Sequence, residues 1–286
     1  MNRFMIIWLI GLAACSNPAV KSNLFDSGKN TGTVSKELEE ASGIVASINN
    51  PGYLWSHNDS GNPTEVFLLD QKADIVFTIL LKGITNRDFE AIAVGPGPEE
   101  GKNYIYLGDI GDNLAVYPEK LIYRFEEPVL VNEKKLQVDQ FDTLIVKLSD
   151  QIRDTEAMMV DPVSKELIIV SKREDSVRLY RSTIPSKSDT TILQYAFTMP
   201  FHKVVAADVS RDGSEVLLKD YEHVYYWKKK GNESIFDLLQ TPATELTYTQ
   251  EPQGEAICWA VDGTGFYTLS ETVKEQRGKL LYYKRK

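Results

Sequence analysis

One pattern recurs along the chain: a glutamate beside a small residue, followed by a run in which apolar residues alternate with others. It occurs in EEASGIVAS from residue 39, RDFEAIAVGP from 87, RDTEAMMVDP from 153 and PQGEAICWAVDG from 252. Each stretch is followed by short runs rich in β-branched and aromatic residues, with Gly, Pro, Asn and Asp between them, which is typical of strands joined by turns. A repeat of four strands in about fifty residues predicts a β-propeller blade.

The starts of the repeats give the number of blades. They fall at Glu40, Glu90, Glu156, Val205 and Glu255. The sequence therefore predicts an all-β protein, a five-bladed β-propeller that occupies residues 31–286. Residues 126–140 lengthen the second unit, and we expect them to form a loop or a hairpin extension.

The last unit is incomplete, because only three strand-like runs precede the chain end at Lys286. The segment NTGTVSK at 30–36 would supply the missing outer strand, which would close the ring and cover a sheet edge. In the fourth unit, SIFDLL at 234–239 takes the place of the outer strand. Six blades is the alternative, if 126–148 or 235–248 contains an additional small blade.

The first residues, MNRFMIIWLIGLAACSN, predict a secreted and anchored protein. Arg3 precedes an apolar run that is too short to span a bilayer as a helix. The run ends in LAAC, which resembles a bacterial lipobox. The resemblance implies a signal peptide at 1–14, lipid attachment to Cys15, and a location in the bacterial cell envelope, at the outer membrane, facing the periplasm or the cell surface. The polar residues 15–30 are expected to be a tether. The alternative is an ordinary secretory signal with a chance cysteine.

Charge and cysteine content exclude other classes. The net charge is −9 with no Lys/Arg stripe, so nucleic acid is not an expected partner. Cys258 is the only cysteine besides Cys15, so lipidation of Cys15 leaves no intrachain disulfide, and the hydrophobic core must stabilise the fold. The aromatic pairs in VYYW and LLYY are expected to pack between blades.

The repeated glutamates should surround one mouth of the central channel, because the inner strand of every blade starts there. The ends of the second strands should reach the same mouth, at His57, Asp109, Lys172, Lys219 and Glu271. We therefore predict a ligand-binding set of Glu40, His57, Glu90, Asp109, Glu156, Lys172, Lys219, Glu255 and Glu271. The alternative is structural: a carboxylate at each strand start accepts backbone N–H groups and joins neighbouring blades.

The predicted mouth is lopsided in charge. Its acidic half has the hard oxygen ligands that Ca²⁺ prefers, so Ca²⁺ is the candidate cofactor. The predicted metal ligands are Glu40, Asp59, Glu90, Asp109 and Asp112. The other half carries Lys172, Arg173 and Lys219, which could hold a phosphate or carboxylate group; alternatively, these lysines neutralise Glu156 and the rest of the ring.

The repeats also resemble a known family. EASGI at 40–44, DFEAI at 88–92, EAMMV with SKRE at 171–174, and GEAIC with SE at 270–271 resemble the SdiA-regulated family of bacterial propellers. The chain is more distantly similar to the esterase-like phytase propellers. The resemblance covers nearly the whole mature chain and implies a propeller fold and an envelope location.

Two functions are compatible with this sequence. The first is a non-enzymatic envelope lipoprotein whose channel mouth binds a small ligand, a cation or a partner protein. The second is a metal-dependent hydrolase, similar to a phosphoesterase, that uses the same mouth. The sequence contains neither an HExxH zinc motif nor a GxSxG elbow, and no catalytic residue is assigned, so binding is favoured.

Overall fold

The computed structural model describes residues 20–187 and 189–286 and shows a five-bladed β-propeller. Two strands precede the blades, β1 (Val20–Ser22) and β2 (Lys29–Thr33), and a short 3-10 helix follows at Lys36–Leu38. Blade one contains β3 (Ala41–Ala46), β4 (Leu54–Asn58), β5 (Glu65–Leu69) and β6 (Ile75–Leu81). Blade two begins with β7 (Phe89–Pro96), β8 (Asn103–Asp109) and β9 (Lys120–Glu126).

The remaining strands complete the ring. After β10 (Lys135–Val138), β11 (Asp142–Leu148) is the outer strand of blade two. Blade three contains β12 (Thr155–Asp161), β13 (Glu166–Ser171), β14 (Arg178–Thr183) and β15 (Thr191–Thr198). Blade four contains β16 (Ala206–Val209), β17 (Glu215–Lys219), β18 (Val224–Lys228), helix α1 (Ile235–Leu239) and β19 (Thr244–Leu246). Blade five contains β20 (Gly254–Trp259), β21 (Gly265–Ser270) and β22 (Lys279–Lys284).

The N-terminal segment closes the ring, as the incomplete fifth unit predicts. Strand β2 pairs antiparallel with β22 and becomes the outer strand of blade five. The preceding residues are also part of the fold, because β1 pairs in parallel with β19 and Phe25 is buried. The folded part of the chain therefore includes residues before the expected boundary at 31, and residues 15–19 of the expected 15–30 tether lie outside the described residues. Cys15 and the expected signal peptide at 1–14 lie outside the described residues.

The segments that could have formed a sixth blade belong to existing blades. Strand β10 pairs in parallel with β6 as a fifth strand of blade one, and β11 joins β9 in blade two. The prediction of a strand at SIFDLL is wrong, because α1 forms there. Ser234 caps this helix: its hydroxyl accepts a hydrogen bond from the Asp237 amide, and Asp237 bonds back to the cap. This reciprocal capping overrides the apolar pattern. The outer strand of blade four is instead β19.

Packing between blades forms the core. The buried apolar residues fall into five clusters, and each cluster fills one interface between neighbouring blades. Blades two and three are also joined at their outer strands, where β11 pairs in parallel with β15. No helix among the described residues is long and apolar enough to cross a membrane.

Candidate functional site

A β-bulge at the start of the inner strand aims the repeated glutamates into the channel. The pairing of β7 with β8 shifts between Phe89 and Ala91, which leaves Glu90 as the extra residue. Glu156 and Glu255 occupy the same position in β12 and β20. A bulge re-aims the side chain of its extra residue, so the repeat places three carboxylates toward the axis of the ring.

Blades one and four differ from this pattern. In blade one the shift lies between Ala41 and Gly43, so the residue equivalent to the bulge glutamates is Ser42 and not Glu40. The Ser42 hydroxyl donates a hydrogen bond to Glu90 Oε2 at 3.0 Å. In blade four, β16 pairs with β17 without a shift, and the apolar Val205 precedes it, as the sequence indicates.

The channel below this ring is nearly filled. Its cavity has a volume of about 10 Å³, which is room for about one water molecule. Ser42, Glu90 and Glu156 contribute its polar lining, and the apolar lining includes Ile92 and Met158. The mouth is therefore a recess closed from below, and a ligand larger than a water or an ion would have to bind at its outer side.

Three carboxylates meet at the mouth on the side of blades one and two. One oxygen each from Asp59, Asp88 and Glu90 lies within 4.8 Å of the others. Asp88 is only 8% exposed, and its carboxylate accepts no hydrogen bond from the described residues. Glu90 is also buried, and its Oε2 atom accepts the Ser42 hydroxyl. Asp59 accepts the amide of Ser60 through Oδ1.

Burial, with repulsion from neighbouring carboxylates, raises the pKa of all three members of this trio. Burial, helped by the charges of Asp59, Asp154 and Asp109, raises the pKa of Asp88 to about 6. Burial and the nearby Glu156 raise the pKa of Glu90 well above its usual value, and burial also raises the pKa of Asp59. Carboxylates that are buried close together resist ionisation unless a cation compensates them. The trio has the donor set and the electrostatic need of a divalent cation site.

Lys172 lies in the mouth but already has a partner. Its ammonium group forms an ion pair with Glu156, and its Nζ atom lies 5.3 Å from the centre of the Tyr221 ring. Burial raises the pKa of Glu156, although the positive charge of Lys172 acts to lower it. The pKa of Lys172 is also raised, because the effect of Glu156 outweighs that of burial, and Lys172 therefore stays charged. This contact matches the alternative in which the lysine neutralises the ring.

Blade five contributes a pair of carboxyl groups. The Tyr221 hydroxyl donates a hydrogen bond to Glu255 Oε1 at 2.6 Å. Burial and the contact with Glu255 raise the pKa of Glu271 to about 9. The raised pKa favours the protonated form of Glu271, so this side of the mouth carries less negative charge than its composition indicates.

Asp109 and Asp112 do not join the trio. Asp109 forms an ion pair with Arg87 at 3.2 Å and accepts the Asp88 amide. Asp112 forms an ion pair with Lys120 at 3.3 Å and accepts the backbone amides of the loop that follows it. Both carboxylates hold the loops of blade two in place. These contacts lie within one blade, whereas the structural alternative for the glutamates joins neighbouring blades.

Three other residues of the predicted set are not members of the trio. Glu40 is exposed and bonds Asn62. His57 is fully buried with a pKa lowered to about 4 by burial; it is neutral, and its Nδ1 donates to the Asn58 carbonyl at 3.0 Å. Lys219 is fully buried between blades four and five, donates to the Asp220 and Gly254 carbonyls, and has a pKa lowered to about 8 by burial.

The predicted basic half is therefore not an open anion site. Arg173 pairs with Asp154, Lys172 pairs with Glu156, and Lys219 is enclosed in the interior. Asp88 is not among the residues predicted from the sequence, although a signal is present. It stands two residues before Glu90 in RDFEAI, and residues at this spacing share one face of an extended segment.

Comparisons with known proteins address the backbone only. The sequence matches no protein family model and no curated protein. The WD40 domain of Neurospora crassa Pan2 is similar with a TM-score of 0.46 and 10% sequence identity, over 93% of this chain and 97% of that chain. A chain of a nidogen–laminin complex is similar with a TM-score of 0.44 and 12% identity, over 80% of this chain and 72% of that chain.

Proposed function

We propose that this protein is a binding module whose channel mouth holds a divalent cation between Asp59, Asp88 and Glu90. One observation carries the proposal: Asp88, a residue that is 8% exposed, accepts no hydrogen bond on its carboxylate from the described residues, and one of its carboxylate oxygens lies within 4.8 Å of two further carboxylates. Three carboxylates this close repel one another, and a bound cation would remove that cost.

Ca²⁺ is the ion that fits best. The three donors are oxygens from different loops and strands, and Ca²⁺ tolerates irregular sets of six to eight oxygens, whereas Mg²⁺ requires a near-octahedral set. Three protein carboxylates leave several coordination positions for water or for an anionic group of a ligand. We therefore propose that the ion also serves as the attachment point for a small ligand or a partner protein at the outer side of the recess.

The cellular setting is part of the same proposal. A lipid on Cys15 would anchor the propeller to the membrane of the bacterial envelope, and the repeat motifs support membership of the SdiA-regulated family. A metal-dependent hydrolase at the same mouth is the second candidate, because a partly coordinated cation could also activate water. Binding is preferred, since Lys172 and Tyr221 already use their polar atoms on Glu156 and Glu255.

Thermal unfolding of residues 20–286 in EDTA and in millimolar Ca²⁺ tests the cation site. At a free ion concentration one hundred times the dissociation constant, binding to the native state should stabilise it by about 2.7 kcal/mol. Asp88→Asn combined with Glu90→Gln should abolish this gain. It should also raise the melting temperature in EDTA, because the double substitution removes the repulsion within the trio.

Asp109→Asn is the matched control. It removes a buried carboxylate of the same blade that pairs with Arg87, so it should lower the melting temperature equally in both solutions and leave the gain from Ca²⁺ intact. Coincident wild-type curves in EDTA and Ca²⁺ would rule out the site. If the Asp109 variant loses the stabilisation by Ca²⁺ while the Asp88 and Glu90 double variant keeps it, the cation binds at another site.

A further inference from the structure

A second recess lies on the face opposite the mouth. It is a cavity of about 490 Å³ at the junction of blade five, blade one and the closing strand β2. Ala46 and Ala260, at the lower ends of the inner strands of blades one and five, contribute to its wall, whereas the carboxylate trio lies at the upper ends. The volume is within the range of small-molecule sites.

Tyrosines form much of the apolar wall. Tyr267 and Tyr282 lie on neighbouring strands with ring centroids 4.8 Å apart and planes inclined at 38°. Tyr53 from the lower loop of blade one faces the same cavity. Tyr283, the next residue of LLYY, is fully buried. The strand thus turns one tyrosine to the core, as expected for packing, and the other to the recess.

The polar lining includes two lysines and a glutamine amide. Lys29 on β2 and Lys72 in the turn of blade one both line the cavity, and neither forms an ion pair with another described residue. The side-chain amide of Gln71 lies beside them without a hydrogen bond to the rest of the described chain. The one carboxylate of the lining, Asp262, accepts the Thr264 hydroxyl at 2.7 Å. Two ammonium groups against one carboxylate leave the lining with a net positive charge in a chain of net charge −9, which makes this recess locally cationic.

We propose that this recess binds a pyranose sugar that carries a carboxylate. Tyrosine rings offer flat apolar surfaces with a polar edge, which suits the C–H face of a sugar ring and its hydroxyl groups. The carboxylate would accept charge-assisted hydrogen bonds from Lys29 and Lys72, and Gln71 would bond a hydroxyl. Free sugars and glycan polymers share this chemistry, and polymers would extend along the open side of the cavity.

The proposed ligand would also join separate parts of the ring. Lys29 belongs to the N-terminal strand, Lys72 and Tyr53 to blade one, and Tyr267 to blade five. A ligand that contacts all three segments binds only when the ring is closed. It must therefore raise the unfolding temperature, in proportion to the logarithm of its concentration above the dissociation constant.

Calorimetric titration of residues 20–286 with N-acetylmuramic acid and with N-acetylglucosamine tests the proposal, because the two sugars differ in a carboxylate-bearing lactyl group. The acid should bind at least tenfold more tightly than the neutral sugar. Lys29→Gln with Lys72→Gln should remove this preference while keeping the weak binding of the neutral sugar. Lys21→Gln with Lys135→Gln changes the net charge equally at other sites and should leave the preference unchanged.

EDTA is present throughout, and the Asp88→Asn variant is titrated in parallel, so that a carboxylate bound to a cation at the mouth is not mistaken for this site. Equal affinity for the two sugars, or an acid preference that survives the double lysine substitution, would overturn the proposal. Binding that disappears in the Asp88 variant would place the sugar at the mouth and would overturn it as well. A glycan polymer that binds while both monomers do not would identify the polymer as the source.

Discussion

At the scale of single residues, the repeated glutamates share one backbone position and have three different environments. Glu90 belongs to a trio without a positive partner, Glu156 pairs with Lys172, and Glu255 accepts the Tyr221 hydroxyl. The bulge is thus a structural device common to the blades, while the neighbours of each carboxylate decide its chemistry. Glu90 accepts the Ser42 hydroxyl, but two further carboxylates lie within 4.8 Å of it, which is why the cation site is assigned there.

Glu271 gives a pH-dependent prediction that does not involve the trio. Burial and Glu255 raise its pKa from 4.5 to about 9, so the folded protein retains a proton that the unfolded chain releases. The resulting stability is complete below the unfolded pKa and is lost as the pH rises toward 9. Glu271→Gln cannot ionise, so in EDTA its free energy of unfolding should fall less between pH 5 and pH 9 than that of the wild type.

Urea unfolding at pH 5, 7 and 9 measures this difference, and Glu126→Gln, at an exposed residue, serves as the control. The other carboxyl groups of the mouth should leave a residual decrease in the variant. If wild type and Glu271→Gln lose the same stability across this range, the carboxyl of Glu271 is not protonated in the native state.

The sequence predicted the type of residue at the mouth better than its register. Aligning the repeats on their glutamates predicts Glu40 as a member of the ring. The bulge in blade one instead lies at Ser42, because the register of strand pairing, which the amino-acid sequence does not show, shifts between Ala41 and Gly43. Asp109 and Asp112 were assigned to the metal because their residue types suit it. Their real partners, Arg87 and Lys120, are set by loop conformations that short-range pattern does not specify.

At the scale of elements, closure by β2 was predictable and the contribution of β1 was not. An incomplete last blade requires a strand from the other end of the chain, and the segment near residue 30 was available. The sequence predicts that residues 20–26 belong to a tether, because they are mostly polar and contain only two large apolar side chains, Leu24 and Phe25. Phe25 nevertheless enters the interface of blades four and five, a tertiary contact that local composition does not reveal.

Substitutions of Phe25 and Leu24 form a matched pair that tests whether this N-terminal segment stabilises the ring. The Phe25 ring centroid lies 5.1 Å from that of Phe266, and Arg285 stacks on it at 4.8 Å. Leu24 is 42% exposed. Phe25→Ala should therefore cost about 3–5 kcal/mol of stability, whereas Leu24→Ala should change it by about 0.5 kcal/mol or less. Equilibrium urea unfolding measures both, and equal effects would show that the N-terminal segment does not hold the ring closed.

At the scale of the whole molecule, the number of blades was predictable because it follows from a period. Each blade buries one face against each neighbour, and the five core clusters occupy five equivalent interfaces. The closed channel was not predictable, because its filling depends on the sizes of side chains that meet across the axis. The two proposed sites lie on opposite faces of the ring. Because the channel between them is filled, a ligand at one site is separated from the other site by a packed core.

The predicted lipid anchor concerns the molecule as a whole, because it would decide where both faces are presented. LAAC at residues 12–15 predicts cleavage before Cys15 and lipid on its sulfur and amine, and more than one acyl chain gives stable membrane attachment. Cys15→Ser should abolish labelling with radioactive palmitate and move the protein from the carbonate-washed membrane to the soluble fraction.

Cys258→Ala, which changes the other cysteine, should keep both the label and the membrane location. If the Cys15→Ser protein is still labelled and stays with the washed membrane, the lipobox interpretation is wrong. If it is unlabelled yet remains in the membrane pellet, the anchor is an uncleaved N-terminal segment.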